Sequence, residues 1–330
     1  MLSEQIESLT TTTDNNKDDL YQNLDAEKVL ERLGKYGRFQ MLIYAMTSVG
    51  ALLCGFEIMS MPLVVKEDIQ FECVSNDPSI QVIDKCTVYN LINNMSFACG
   101  QVANTYLKFD EVAKNTLNGE FELVCDKAFW SHHATSLFML GGQFATPIIA
   151  TLSDRYGRRR AFLLPLWITV IANIGCSIAP NYYLFLLFRV ISGAASAGIG
   201  PVGFIIQIEN TTTSFRSLSP LFMTVVWFVG YMGIGVLHMF VPNWRWHFFS
   251  FSAPCLLTFT FYWMMPETIH WMISNNQSNN QTSGVKNYIK KSCRINKQKI
   301  QLSECQNSFN RSESLTNKKK AKTHFHDCFF

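Results

Sequence analysis

Apolar residues run almost unbroken through six stretches of this 330-residue chain, at roughly 39–65, 132–152, 161–179, 182–208, 218–241 and 246–265. Each approaches or exceeds the ~20 residues a helix needs to cross the hydrocarbon of a bilayer. None carries the charged stripe, repeating every three or four residues, that a helix on a soluble protein shows to water. Period-two alternation is absent, which argues against a barrel. The pattern predicts an all-α membrane protein, a bundle of six transmembrane helices. Pro147, Pro165, Pro201, Pro220 and Pro254 fall within or at the ends of these spans, where neighbouring helices can satisfy the backbone groups they free.

Charge sharpens this picture. Of the 53 Lys, Arg, Asp and Glu residues, nine lie in 128–266: Asp154, Arg155, Arg158, Arg159, Arg160, Arg189, Glu209, Arg216 and Arg245. That distribution excludes a soluble enzyme and a nucleic-acid binder with a basic face. The connection 153–160 has four arginines and one acid, the tail 274–330 has eleven bases and three acids, and the segment 66–131 has five bases and ten acids. The positive-inside rule then puts the connection and both termini (1–38 and 266–330) in the cytoplasm, with 66–131 as an extracellular loop. Residues 1–38 are polar and give no signal peptide.

Cysteine usage agrees with that orientation. Cys73, Cys86, Cys99 and Cys125 lie in the expected outer loop, where disulfides persist and three pairings are open. Cys54, Cys176 and Cys255 lie in spans, and Cys293, Cys305 and Cys328 on the expected cytoplasmic side. Asn94 is the one glycosylation sequon in the loop, whereas those at Asn210, Asn276 and Asn280 would face the cytoplasm. Glycan mapping is therefore expected to find sugar on Asn94 alone; sugar on Asn276 would overturn the orientation.

An ordered series of motifs runs through the chain: Glu122-Leu123-Val124-Cys125-Asp126-Lys127-Ala128, Ser136-Leu137-Phe138-Met139-Leu140-Gly141-Gly142, Leu152-Ser153-Asp154-Arg155-Tyr156-Gly157-Arg158-Arg159-Arg160, Arg189 with Gly193, Glu209 with Arg216, Asn243-Trp244-Arg245-Trp246 and Pro266-Glu267-Thr268-Ile269-His270-Trp271. On these, the chain resembles the organic cation, organic anion and carnitine transporter family of the major facilitator superfamily. The long cysteine-bearing loop ending in Leu-Val-Cys-Asp separates it from the sugar porters. The resemblance implies two six-span bundles with substrate between them near mid-membrane, of which this chain reads as the N-terminal one, ending before a seventh span. Residues 285–291 read as a short basic helix of the central linker, and 318–327 as the approach to that seventh span. The implied activity is transport of small organic cations, zwitterions such as carnitine, or anions by alternating access in the plasma membrane. The alternative is a non-transporting half that pairs with itself or with a full-length relative.

The resemblance makes Asp154, Arg155, Gly157, Arg158 and Arg159 a latch for the opposite bundle, with Glu209, Arg216 and Glu267 in a neighbouring cytoplasmic network; the bland reading is that the arginines only fix orientation. Arg189, a charge inside a span, should face protein or a water path. It is expected to tie the fourth span to that cytoplasmic network or to neighbouring carbonyls, with substrate contact as the alternative. Glu57 is an intramembrane acid about seven residues from the outer end of the first span: it attracts a cation, exchanges a proton, or reaches the mouth and bonds to water. Phe204 matches a substrate-facing aromatic of the family, while Gly200 stands where an aromatic is common. Trp227 and Tyr231 are further cavity candidates through cation–π contact. The small residues from Gly193 to Gly203 allow close helix packing or an open cavity floor. Trp244, Trp246 and Trp263 read as interfacial anchors. Neither His132-His133 nor His324-Phe325-His326 has a ligand set for a metal, no phosphate-binding glycine loop is present, and no cofactor is expected. The expected partners are a small organic ion, the lipid bilayer, and a second six-span bundle or another copy.

Overall fold

The computed structural model describes residues 24–34, 37–66, 69–92, 95–101, 104–279 and 283–297. Asn94, Asn280, Cys305, Cys328 and the segment 318–327 lie outside the described residues.

A short helix, α1 (Ala26–Leu33), precedes the first long one, α2 (Arg38–Val64). Asp25 caps α1, its carboxylate accepting from Glu27 N at 3.0 Å. The segment after α2 is not an unstructured loop. It holds β1 (Phe71–Ser75), β2 (Ile80–Val82), β3 (Thr87–Asn90), β4 (Met95–Ala98) and β5 (Thr105–Phe109), then the single turns α3 (Glu111–Lys114) and α4 (Leu117–Glu120). β1 pairs antiparallel with β5, and β2–β3–β4 form an antiparallel sheet. The all-α description therefore applies to the bundle and not to this segment. Cys73 is bonded to Cys99 and Cys86 to Cys125, one of the three pairings left open.

The remaining long helices are α5 (Ala128–Tyr156), α6 (Arg158–Ile178) and α7 (Tyr182–Glu209); after the turn α8 (Thr213–Arg216) come α9 (Ser219–Phe240) and α10 (Trp244–Cys255). α10 runs through a 3₁₀ stretch, Leu256–Thr260, into α11 (Phe261–Met264), and α12 (Ile269–Asn279) and α13 (Ser283–Asn296) follow. Six of these helical segments are long and apolar enough to cross a membrane. Their bounds differ from the apolar runs where polar residues extend a helix beyond the hydrocarbon. α5 begins four residues before the expected 132 and ends four after 152. The sixth span is not continuous: it tightens to 3₁₀ just after Pro254, which has no N–H to donate to the ladder. The expected 153–160 connection shrinks to one residue. Ser153–Tyr156 belong to α5 and Arg158–Arg160 to α6, and Gly157 alone joins them at φ +100°, a left-handed value that glycine adopts without steric cost.

α7 lies at the centre, packed against α2, α5 and α6, while α9 packs on α2 and α10 on α6. The α5–α7 crossing is close because glycines meet backbone from both sides. A Cβ on Gly193 would lie 2.1 Å from the Phe138 carbonyl oxygen, and one on Gly141 would lie 2.6 Å from that of Val190. On the outside of the bundle, α5 and α9 each keep an apolar face that the described residues leave uncovered: Phe144 and Ile148 of α5, and Phe228 and Met232 of α9, are exposed.

The long segment caps one end of the bundle. Glu120 accepts from Trp244 Nε1 at 2.7 Å and from Arg245 Nε at 2.9 Å, and Arg245 NH1 donates to Ser177 O at 2.9 Å. Trp244 is consequently buried against Phe121 and Phe185 and is no interfacial anchor, unlike the exposed Trp246 and Trp263.

Candidate substrate cleft and charge networks

Glu57 sits inside the bundle, 0% exposed, and is sealed rather than open to the mouth. Arg189, 1% exposed, approaches it with NH1 at 3.1 Å from Oε2. Ser192 Oγ donates to the same oxygen at 3.1 Å, and Asn173 Nδ2 donates to Oε1. The Arg189 guanidinium also lies over the rings of Phe138 and Phe248, 4.4 and 5.6 Å from their centroids. The carboxylate is thus paired and hydrogen-bonded by α6 and α7, the condition under which a charge can persist away from water. Two expectations are corrected here. Arg189 is not part of the network at the Gly157 end, since it lies seven residues into α7 from the long-loop end (189 − 182) and twenty from Glu209 (209 − 189). Glu57 does not line an open cavity, because Arg189, Asn173 and Ser192 close around it.

Sequence reasoning missed Asn173 and Ser192. The signal was there for Ser192, three residues after Arg189 and hence on the same helix face. A second buried polar contact joins α2 to α7: Gln207 Nε2 donates to Thr47 Oγ1 at 2.9 Å.

Of the cavity candidates, Gly200, Phe204 and Trp227 come together. They line a cleft of about 260 Å³ between α2, α7 and α9, with Ala51, Cys54 and Thr224 among its other walls. Gly200 faces open space: a Cβ added there would meet no heavy atom of the described residues within 4 Å. Tyr231 is not among the lining residues; it stacks on Trp227, centroids 5.5 Å apart, and supports that ring from one turn along α9. Every lining residue is uncharged.

At the Gly157 end, Arg158 is the hub. It pairs with Asp154, reaches Glu209 Oε1 through Nε at 3.3 Å, and donates to Ser153 Oγ at 3.1 Å. Glu209 Oε2 accepts from Thr268 Oγ1 at 2.6 Å, and Glu267 Oε1 accepts from Arg159 N at 2.9 Å. Trp271 Nε1 donates to Asp154 O at 2.9 Å. The motif residues therefore bind the segment that follows the sixth span. Arg216 is separate, 3.8 Å from Glu27 of α1, so Glu209 and Arg216 do not form one pair. Asp154 and Arg155 are exposed. Nearby, α13 seats Tyr288, whose hydroxyl donates to Asn210 Oδ1 at 2.9 Å and whose phenol burial pushes above its ordinary range.

Six apolar helices, a single-residue Gly157 link clamped by Arg158 and Glu209, and a cleft on the α2–α7–α9 face mark a helix bundle of the major facilitator transporter fold. The likeness extends to solved structures: a partially occluded inward-open xylose transporter of E. coli matches with a TM-score of 0.53 at 15% identity, over 78% of this chain and 57% of that one. The chain belongs to the sugar (and other) transporter family, whose pattern matches residues 45–330. Relatives include the organic cation transporter protein of Drosophila melanogaster, 25% identical over 75% of this chain and 49% of that protein. Organic cation transporter 1 of Caenorhabditis elegans is 25% identical over 90% of this chain and 54% of its own length. Human solute carrier family 22 member 2 is 28% identical over 55% of this chain and 33% of that protein. The chain spans about half the length of the first two.

Proposed function

We propose that this chain contributes one six-helix half of a plasma-membrane transporter of small organic ions working by alternating access. The observation that carries the reading is the uncharged cleft of Gly200, Phe204 and Trp227, in a chain whose relatives include organic cation transporters. An aromatic wall without fixed charge suits a small organic cation, which gains about 0.5–2 kcal/mol per cation–π contact. Glu57 neutralises Arg189 within the bundle rather than the substrate. The exposed Asp154 and Arg155, placed on the cytoplasmic side by the positive-inside rule, remain for polar contacts with the opposite bundle in one state of the cycle.

The apolar faces of α5 and α9, which the described residues leave uncovered, offer surface to lipid and to a second bundle or another copy of the chain. Binding of labelled tetraethylammonium to the purified chain in lipid nanodiscs is the direct test. Trp227→Ala is expected to weaken it by about 2- to 30-fold, and Gly200→Phe to abolish it by filling the cleft. Equal binding by both variants would remove the cleft from the substrate path. Specific co-purification with a full-length relative, without any tetraethylammonium binding, would favour the non-transporting half.

A further inference from the structure

α5 and α6 both pack on α7 and are joined at Gly157. Between them runs a groove of about 590 Å³, to which α7 contributes Ile191, Ala194 and Ala195. The α5 wall is one helix face, Ala145, Ile149, Leu152 and Tyr156. Every lining residue is apolar except Tyr156 and Arg160, and these two flank the Gly157 link at one end. Eleven residues of helix separate Ala145 from Tyr156 (156 − 145), ~16 Å at 1.5 Å per residue. One leaflet of hydrocarbon, half of the ~30 Å core, has the same depth. The groove is therefore one leaflet deep and polar only where that leaflet meets water.

The three arginines after Gly157 are used differently. Arg158 pairs with Asp154 and Glu209, and Arg159 donates to the Tyr262 carbonyl and lies over the Tyr262 ring. Arg160 is exposed, lines the groove, and pairs with no acid among the described residues. We propose that the groove holds one acidic phospholipid of the cytoplasmic leaflet, an acyl chain lying along α5 and the phosphate against Arg160 and the Tyr156 hydroxyl. A guanidinium fork matches phosphate oxygens, and a phenol hydroxyl adds a donor. Acidic lipids concentrate in the cytoplasmic leaflet, the side to which the positive-inside rule assigns the Gly157 end. Occupancy braces α5 against α6 beside the Arg158 network.

The test is native mass spectrometry of the full chain, delipidated in detergent and titrated with palmitoyl-oleoyl phosphatidylserine or the matching phosphatidylcholine. One phosphatidylserine is expected to bind about fivefold more tightly than phosphatidylcholine, the effect of one basic side chain on an acidic headgroup. Arg160→Gln, at an exposed position that spares the fold, should erase that preference. Lys290→Gln removes an exposed base of α13 outside the groove and should leave it intact. Leu164→Trp narrows the apolar part and should weaken both lipids alike. Equal affinity for the two lipids, a preference that survives Arg160→Gln, or one lost equally in Lys290→Gln would each overturn the assignment. A photoreactive benzophenone side chain at position 164 should attach to phospholipid in membranes; attachment to a second polypeptide instead would give the groove to a protein partner and overturn it too.

Discussion

Arg189→Leu is expected to destabilise the bundle by roughly 3–5 kcal/mol, because it strands the Glu57 carboxylate in the interior. The two remaining donors, Asn173 Nδ2 and Ser192 Oγ, cannot supply the missing positive charge. Glu57→Leu carries the mirror cost, leaving a guanidinium between the Phe138 and Phe248 rings with no counter-ion. The double variant Glu57→Leu/Arg189→Leu removes both charges and should recover most of the loss, since apolar replacement of a whole buried pair is often neutral. Thermal unfolding of the detergent-purified variants, followed by size-exclusion profile, reads this as a cycle. Additive losses in the double variant would mean that the two side chains do not interact. Glu57→Gln keeps the size and one acceptor oxygen but loses the charge and turns an NH2 toward a donor, since Asn173, Arg189 and Ser192 all donate to Glu57; it should fall between the extremes.

The position of that pair was available from the sequence, though in a form easily misread. Glu57 is seven residues from the end of α2 (64 − 57), and Arg189 is seven from the start of α7 (189 − 182). Since the first span runs toward the long segment and the fourth runs away from it, both lie ~10 Å below the same end at 1.5 Å per residue. Reading Arg189 toward Glu209 instead takes it ~30 Å along the helix. The six spans themselves were legible because membrane length is a one-dimensional property of hydropathy. Cysteine pairing was not, because it depends on how the strands fold: β1–β5 pairing and the β3–β4 hairpin set Cys73 near Cys99, and neither is encoded in spacing. The contacts of Arg158 were half legible. Asp154 is only four residues away in the chain, although the break at Gly157 puts the two on different helices, whereas Glu209 and the Glu267–Thr268 segment reach Arg158 and its neighbours only after the bundle closes. Cleft residues fared better, since Gly200 and Phe204 share a face of α7 four residues apart, while Trp227 needed the packing of α9 on α2 to join them.

Gly193→Leu tests the packing that holds this geometry, and a large loss of folded protein is expected. Within a membrane, helices associate through close van der Waals contact rather than by expelling water, so small residues at a crossing carry much of the stability. A side chain at 193 meets main chain: its Cβ would lie 2.1 Å from the Phe138 carbonyl oxygen and 2.8 Å from the carbonyl carbon. Backbone cannot rotate aside as a side-chain terminus does, so α5 must separate from α7. That movement would carry Phe138 away from Arg189 and loosen the cover of the Glu57 pair. Overpacking of this kind costs about 1–3 kcal/mol, and more where backbone must shift. Gly200→Ala, two turns along the same helix, is the matched control. Its Cβ meets nothing within 4 Å among the described residues, and alanine improves helix propensity by about 1 kcal/mol, so the purified variant should unfold at or above the temperature of the unaltered chain. If the two variants unfolded alike, glycine content alone, and not the α5–α7 contact, would govern stability, and the close crossing would have no energetic consequence.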